Sequence, residues 1–203
     1  MFDAAIRQII DPPLNATGRK MAKLGIPANA VTLTGFGIGL LVIPLLASEY
    51  YLSALFIILV NRLGDGLDGA VARQSRLTDF GGYLDIICDF IFYAAVVFGF
   101  ALAQPEKALA AAFLIFSFMG TGSTFLAYAI LAERHGISTA IRGRKSLYYL
   151  GGLTEGTETI AAFCLMCVLP EYFVEIAVIF GVLCWVTTLT RIYAAWAAFG
   201  KGR

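Results

Sequence analysis

Long runs of apolar residues with few charges dominate the chain: residues 24–48, 50–60 running on to 72, 85–104, 108–132, 147–169 and 176–200. Each run, with its polar flank, is long enough to cross a hydrocarbon layer of about 30 Å as a helix. The pattern predicts an all-α integral membrane protein, with six transmembrane helices bundled over 24–200. Residues 1–23 differ, because Asp3, Arg7 and Asp11 break up their apolar positions. No long apolar core of a cleavable signal is present there. Ala4-Ala5-Ile6 and Ile9-Ile10 with the nearby bases predict an amphipathic helix on the membrane surface, interrupted at Pro12-Pro13. Without internal repeats or a long linker, 1–203 reads as a single membrane domain.

Composition agrees with this setting. Of 203 residues, 59% are hydrophobic and 14% charged, against about 25% charged in soluble proteins; mean hydropathy is +0.79. Apart from Lys107, the bases outside the spans fall on one side of a six-span path. Arg7, Arg19, Lys20 and Lys23 precede the first span, Arg73 and Arg76 follow the second, Arg134, Arg142, Arg144 and Lys145 separate the fourth from the fifth, and Lys201 and Arg203 close the chain. Opposite them are short turns at Glu49, Pro105-Glu106-Lys107 and Pro170-Glu171. The excess of bases predicts a multi-pass protein of the plasma (inner) membrane with both termini and the second-to-third loop in the cytoplasm. A net charge of +1 gives no reason to expect a nucleic-acid partner.

Four acids interrupt the apolar pattern. Asp65-Gly-Leu-Asp68-Gly69-Ala-Val-Ala72-Arg73 is followed after seven residues by Gly81-x-x-x-Asp85-x-x-x-Asp89. An ionised side chain at mid-bilayer costs roughly 2.5–3.5 kcal/mol on insertion scales, so four together need counter-charge. Asp65 and Asp68 are three apart and Asp85 and Asp89 four apart, so each pair shares a helical face. Two facing helices would gather carboxylate oxygens in one small volume. Oxygen ligands suit hard cations such as Mg²⁺ or Mn²⁺. Glycines leave room for close approach, and Arg73 offers a fork for phosphate. The residues therefore point to a metal-bound phosphate.

The motif D-x-x-D-G-x-x-A-R, then G-x-x-x-D-x-x-x-D, resembles the class I CDP-alcohol phosphatidyltransferase family. The resemblance implies six transmembrane helices, a homodimer, and transfer of a phosphatidyl group from CDP-diacylglycerol to a small alcohol acceptor with release of CMP. Gln74 to Phe80 is one residue shorter than the family's loop, which bears on its nucleotide contacts. Carried over, the family roles have Asp65 and Asp85 bridge two Mg²⁺ ions (or Mn²⁺), Asp68 hold the first and Asp89 the second. Asp89 would also be the general base, within reach of the acceptor hydroxyl. The donor nucleotide would contact Gly69, Ala72, Arg73, Thr78 and Gly81. Asn29, Ala30, Val31 and Thr32, in a Pro-x-x-x-Thr-like segment at the start of the first span, would line the same pocket; Asn29 could equally cap that helix.

The acceptor is less defined. Arg142, Arg144 and Lys145 before the fifth span, and Arg191 inside the sixth, suit a phosphorylated acceptor such as glycerol 3-phosphate or inositol phosphate. A basic loop also serves orientation alone. Glu155 and Glu158 share a helical face, where they could bind acceptor hydroxyls or pair with Arg142 or Arg191. The Asp motif does not choose between this reaction and transfer from a soluble CDP-alcohol, of the CDP-ethanolamine, CDP-choline or CDP-inositol type, onto a lipid or polyol acceptor. Cys164-x-x-Cys167 lies in an apolar run without a second pair and reads as packing, and His135 as a solvated loop residue. Gly35, Gly37, Gly39, Gly120 and Gly122 read as close helix packing. A cation transporter would also carry membrane acids, but it needs polar residues through both halves of the bilayer. The outer halves here, such as 40–46 and 91–102, are apolar. A cavity open to one side is expected.

Overall fold

The computed structural model describes residues 3–75, 77–136 and 152–200, and all regular structure among them is helical. The order is α1 (Asp3–Lys23), α2 (Ala28–Gly39), α3 (Val42–Ala47), α4 (Tyr51–Gln74), α5 (Asp79–Ala103), α6 (Ala108–Arg134), α7 (Gly156–Val168) and α8 (Phe173–Phe199). Four stretches are long and apolar enough to cross a membrane: Ala28–Ala47, Asp79–Ala103, Pro105–Arg134 and Pro170–Phe199. The remaining two expected spans differ for distinct reasons. α4 has 24 residues, about 36 Å of helix, but Arg62, Asp65, Asp68 and Arg73 occupy its second half. α7 is apolar with only 13 residues, about 20 Å. It begins at Gly156, well after the expected residue 147, and 147–151 lie outside the described residues.

α2 and α3 form one bent path whose break has an identifiable cause. Pro44 has no N–H to give the Leu40 carbonyl, which instead accepts from Ile43 N at 3.1 Å. α1 is helical as expected, but it is continuous through Pro12 and Pro13. A proline inside a helix costs about 3 kcal/mol or more in isolation. Here α1 lies against the second half of α4, where Leu14 fills the space beside Gly66, and a Cβ on Gly18 would come within 2.7 Å of Ala70 Cβ. Tertiary packing outweighs the local break.

One end of the bundle is closed. Gln104 Nε2 donates to Tyr51 Oη at 2.9 Å, and Lys107 Nζ to the Glu171 carbonyl at 3.2 Å. The turns expected on one side therefore do meet. Phe92, Phe100, Phe163, Phe173, Ile58 and Leu114 fill the interior with no exposed surface, and Phe100 stacks on Phe173 with centroids 4.8 Å apart. Phe56, Leu109, Met119 and Leu189 face outward, as they would toward lipid. Because α4 leaves the closed end and α5 returns to it, their polar halves lie together at the opposite end.

Candidate active site

Asp65, Asp68 and Asp85 meet there, each offering a carboxylate oxygen within 4.8 Å of the others. They line a cleft of about 250 Å³, counting its open side, with Thr32, Gly35, Phe36, Asn61, Arg62, Cys88 and Asp89. Below the cleft, Phe92 closes the interior. The cleft lies among the polar parts of α4 and α5. Asp68 is only 5% exposed, and its Oδ2 has no hydrogen-bond partner among the described residues. A buried carboxylate oxygen left unpaired is costly unless a ligand completes it. Three converging oxygens, one of them orphaned, fit a hard divalent cation.

Asp89 lies on the cleft wall, but outside the three-carboxylate cluster. Its Oδ1 accepts from Arg62 Nη2 at 2.7 Å, and Tyr93 Oη stands 3.5 Å from its Oδ2. Arg62 also approaches Asp65, with Nη1 to Oδ2 at 3.6 Å. The sequence reading missed Arg62. Its signal was available, since Arg62 precedes Asp65 by three residues and so shares its helical face. Asn61 was missed too; its Oδ1 accepts from Arg62 Nη2 and Nε at 2.6 and 3.1 Å, and its Nδ2 donates to the Gly35 carbonyl at 3.0 Å.

Of the expected donor residues, Thr32 is in the cleft lining, and the others lie on α2, on the end of α4 and at the start of α5. Thr78 is the N-cap of α5 and accepts from Gly81 N at 3.0 Å. Asn29 Oδ1 lies 3.2 Å from where a Gly81 Cβ would stand. Asn29 does not cap α2: that cap is Pro27, with no side-chain bond. Thr32 reaches the cleft, whereas Ala30 and Val31 in the same turn are not among its lining residues. Arg73 is exposed at the end of α4 near Gly69, and Ala72 beside it is half-buried. Asn15 of α1 holds that guanidinium, accepting from Nη2 at 3.0 Å and Nε at 3.3 Å.

The expected acceptor residues are more dispersed. Arg142, Arg144 and Lys145 lie outside the described residues. Glu155 and Glu158 form a capping box at the start of α7, and Gly152 N donates to Glu155 Oε1 at 3.1 Å. Arg191 is 7% exposed; its Nη1 donates to the Thr121 carbonyl at 3.0 Å and its guanidinium lies over Phe125. Nearby, Thr154 N and Oγ1 both bond Thr187 Oγ1, at 3.1 and 3.0 Å. The two groups are linked through α7, because a Gly156 Cβ would stand 3.6 Å from Tyr93 Oη. Cys164 and Cys167 carry free thiols. His135 is exposed, as expected, and caps the end of α6, with Nδ1 2.8 Å from the Leu131 carbonyl and its ring packed on Phe199.

Comparison with known proteins gives one consistent result. The sequence pattern described as CDP-alcohol phosphatidyltransferase matches residues 26–193. An Escherichia coli (strain K12) protein named inner membrane protein YnjF is 54% identical over 197 residues, covering 97% of this chain and 96% of that one. Archaetidylinositol phosphate synthase of Pyrococcus horikoshii is 41% identical over 103 residues, 48% of this chain and 52% of its own. Among solved structures, Mycobacterium tuberculosis phosphatidylinositol phosphate synthase (PgsA1) with CDP-DAG bound has a TM-score of 0.76 at 19% identity, covering 94% of this chain and 97% of its own. The same enzyme in complex with manganese and citrate gives a TM-score of 0.75. At that identity the likeness is one of fold.

Proposed function

The chain belongs to the CDP-alcohol phosphatidyltransferase family, and on that premise we propose that it transfers a phosphatidyl group from CDP-diacylglycerol to the hydroxyl of a small polar acceptor, releasing CMP, in phospholipid biosynthesis. The observation that carries the proposal is the convergence of Asp65, Asp68 and Asp85 around a cleft with an unpaired buried oxygen on Asp68. Such a site serves a diphosphate through divalent cations, with Mg²⁺ or Mn²⁺ as the fitting ions. Bound there, the cations would neutralise the diphosphate and the departing CMP.

Asp65, Asp68 and Asp85 would hold the first ion, and Asp65, Asp85 and Asp89 the second. Asp89, set apart from the three-oxygen cluster, would take the proton of the acceptor hydroxyl. Asn29, Thr32, Gly69, Ala72, Arg73, Thr78 and Gly81 would receive the donor's nucleotide and phosphates at the open rim, with Ala30 and Val31 shaping the start of α2. Cys88, Gly35 and Phe36 complete the cleft wall, which keeps water from surrounding the reacting group.

For the acceptor we favour a phosphorylated alcohol, glycerol 3-phosphate or inositol phosphate. Relatives named as inositol phosphate synthases support the second. Arg191 would grip the phosphate, as a guanidinium anchored by a backbone carbonyl is preorganised for anion binding. Arg142, Arg144, Lys145, Glu155 and Glu158 would complete that side. In the bilayer we propose six spans, with α4 and α7 joining the four long apolar stretches, cytoplasmic termini and active site, and a homodimer. The basic side of the chain supports that orientation.

The test is CMP release from CDP-diacylglycerol by purified protein in detergent with Mg²⁺, offering glycerol 3-phosphate, inositol phosphate, serine and inositol in turn. One phosphorylated acceptor should dominate. Turnover with none of them, but with CDP-ethanolamine or CDP-choline and diacylglycerol, would replace the donor. Asp89→Asn should abolish transfer while donor binding stays measurable; a near-normal rate would remove Asp89 as the base.

A further inference from the structure

Arg62 is the most constrained charge in the molecule's polar half. Its side chain is 18% exposed, and all three guanidinium nitrogens are engaged: Nη2 with Asp89 and Asn61, Nε with Asn61, Nη1 with Tyr93 Oη at 3.4 Å and the Asp65 carboxylate at 3.6 Å. Its guanidinium carbon also sits 5.1 Å from the Phe92 ring centroid and 5.4 Å from that of Tyr93. Asn61, in turn, is pinned to the Gly35 carbonyl. A guanidinium surrounded in this way does not swing aside freely. Its positive charge therefore stands beside one carboxylate of the site and in direct contact with another.

The four acids are thus unequal. Asp65, Asp68 and Asp85 have converging oxygens, whereas Asp89 stands outside that cluster and is held by Arg62 at 2.7 Å. Resting on the reading that these acids hold divalent cations, we infer that Arg62 makes the two cation positions sequential: the first ion enters a preformed three-carboxylate site, and the second must displace Arg62 from Asp89. Arg62 is a positioning residue here. It holds Asp89 on the cleft wall, and it opposes a second ion by both charge repulsion and competition for the same oxygen. A diphosphate carried in with the second ion supplies the anionic partner that Arg62 loses.

The measurement is a titration of the purified full-length protein with Mn²⁺ alone, read as free Mn²⁺ by electron paramagnetic resonance. Wild type should show two sites whose affinities differ by about tenfold or more, as expected when a hydrogen-bonded ion pair must be broken. Arg62→Gln should tighten the weaker site about tenfold and change the stronger less than threefold; Arg62→Lys, which keeps the charge, should stay closer to wild type. Asp89→Asn should retain the strong site and lose the weak one. Two equal sites in wild type, or a weak site unmoved by Arg62→Gln, would overturn the inference while leaving the proposed reaction intact. No Mn²⁺ binding at all would remove both. Should Arg62→Gln not fold, the wild-type gap and its loss in Asp89→Asn decide the matter.

Discussion

Two buried polar clusters interrupt the same apolar bundle, and they differ in charge: one gathers carboxylates, the other ties a guanidinium and hydroxyls to neighbouring helices. Between α4 and α5, three carboxylates crowd together and Asp68 Oδ2 has no hydrogen-bond partner among the described residues. Between α6, α8 and the start of α7, polar groups are tied across helices: Arg191 to the Thr121 carbonyl, Thr154 to Thr187, Glu155 and Glu158 to the first turn of α7. The first arrangement spends stability on an open site, and the second ties α6 and the start of α7 to α8. Repelling carboxylates in a fold are expected where a ligand completes them.

The sharpest way to break this contrast is Asp68→Asn. It removes a carboxylate whose Oδ2 has no hydrogen-bond partner among the described residues, so CMP release should fall by on the order of 10³-fold, comparable to losing a major electrostatic contact, while the thermal midpoint stays level or rises. A large loss of stability would show Asp68 to be structural. Arg191→Ala tests the second cluster, and the acceptor KM should rise about tenfold, consistent with loss of a charged hydrogen bond, with the donor KM unchanged. An unmoved acceptor KM with lowered stability would make Arg191 a helix tie only. Asn15→Ala frees the Arg73 guanidinium, and the donor KM should rise about threefold, as for one modest hydrogen bond; no change would detach α1 from the site. Least visible in turnover is Thr187→Val. It should destabilise the fold by about 1–3 kcal/mol through the unpaired groups it leaves on Thr154, with turnover per folded molecule preserved; a matching fall in turnover would place Thr187 at the site.

Much of the first cluster was legible in the sequence, and the reason is geometric. Spacings of three and four put Asp65 with Asp68 and Asp85 with Asp89 on shared faces, and the facing of α4 and α5 followed from their short connection. Arg62 escaped notice because the apolar run around it reads as a span and its partner, Asp89, is 27 residues away. The bend after Gly39 was readable from Pro44. The continuity of α1 through Pro12 and Pro13 was not, because its cause is the contact of Leu14 and Gly18 with α4, a tertiary effect that no local pattern carries. Glu155 and Glu158 do not share a helical face as expected, because Glu155 is the extended cap just before α7, and their pairing as a cap depends on where α7 begins. That boundary lay inside an unbroken apolar run.

The central claim is that the α4 and α5 carboxylates work through a divalent cation on a CDP-activated lipid. The most direct test is CMP release from CDP-diacylglycerol by the purified protein after removal of metal with EDTA, with Mg²⁺ or Mn²⁺ then added back. The account predicts no release without metal, full recovery on re-addition, and for Asp68→Asn a rate that stays on the order of 10³-fold lower at every metal concentration. Release that persists in EDTA, or cation flux through liposomes without CMP formation, would contradict it.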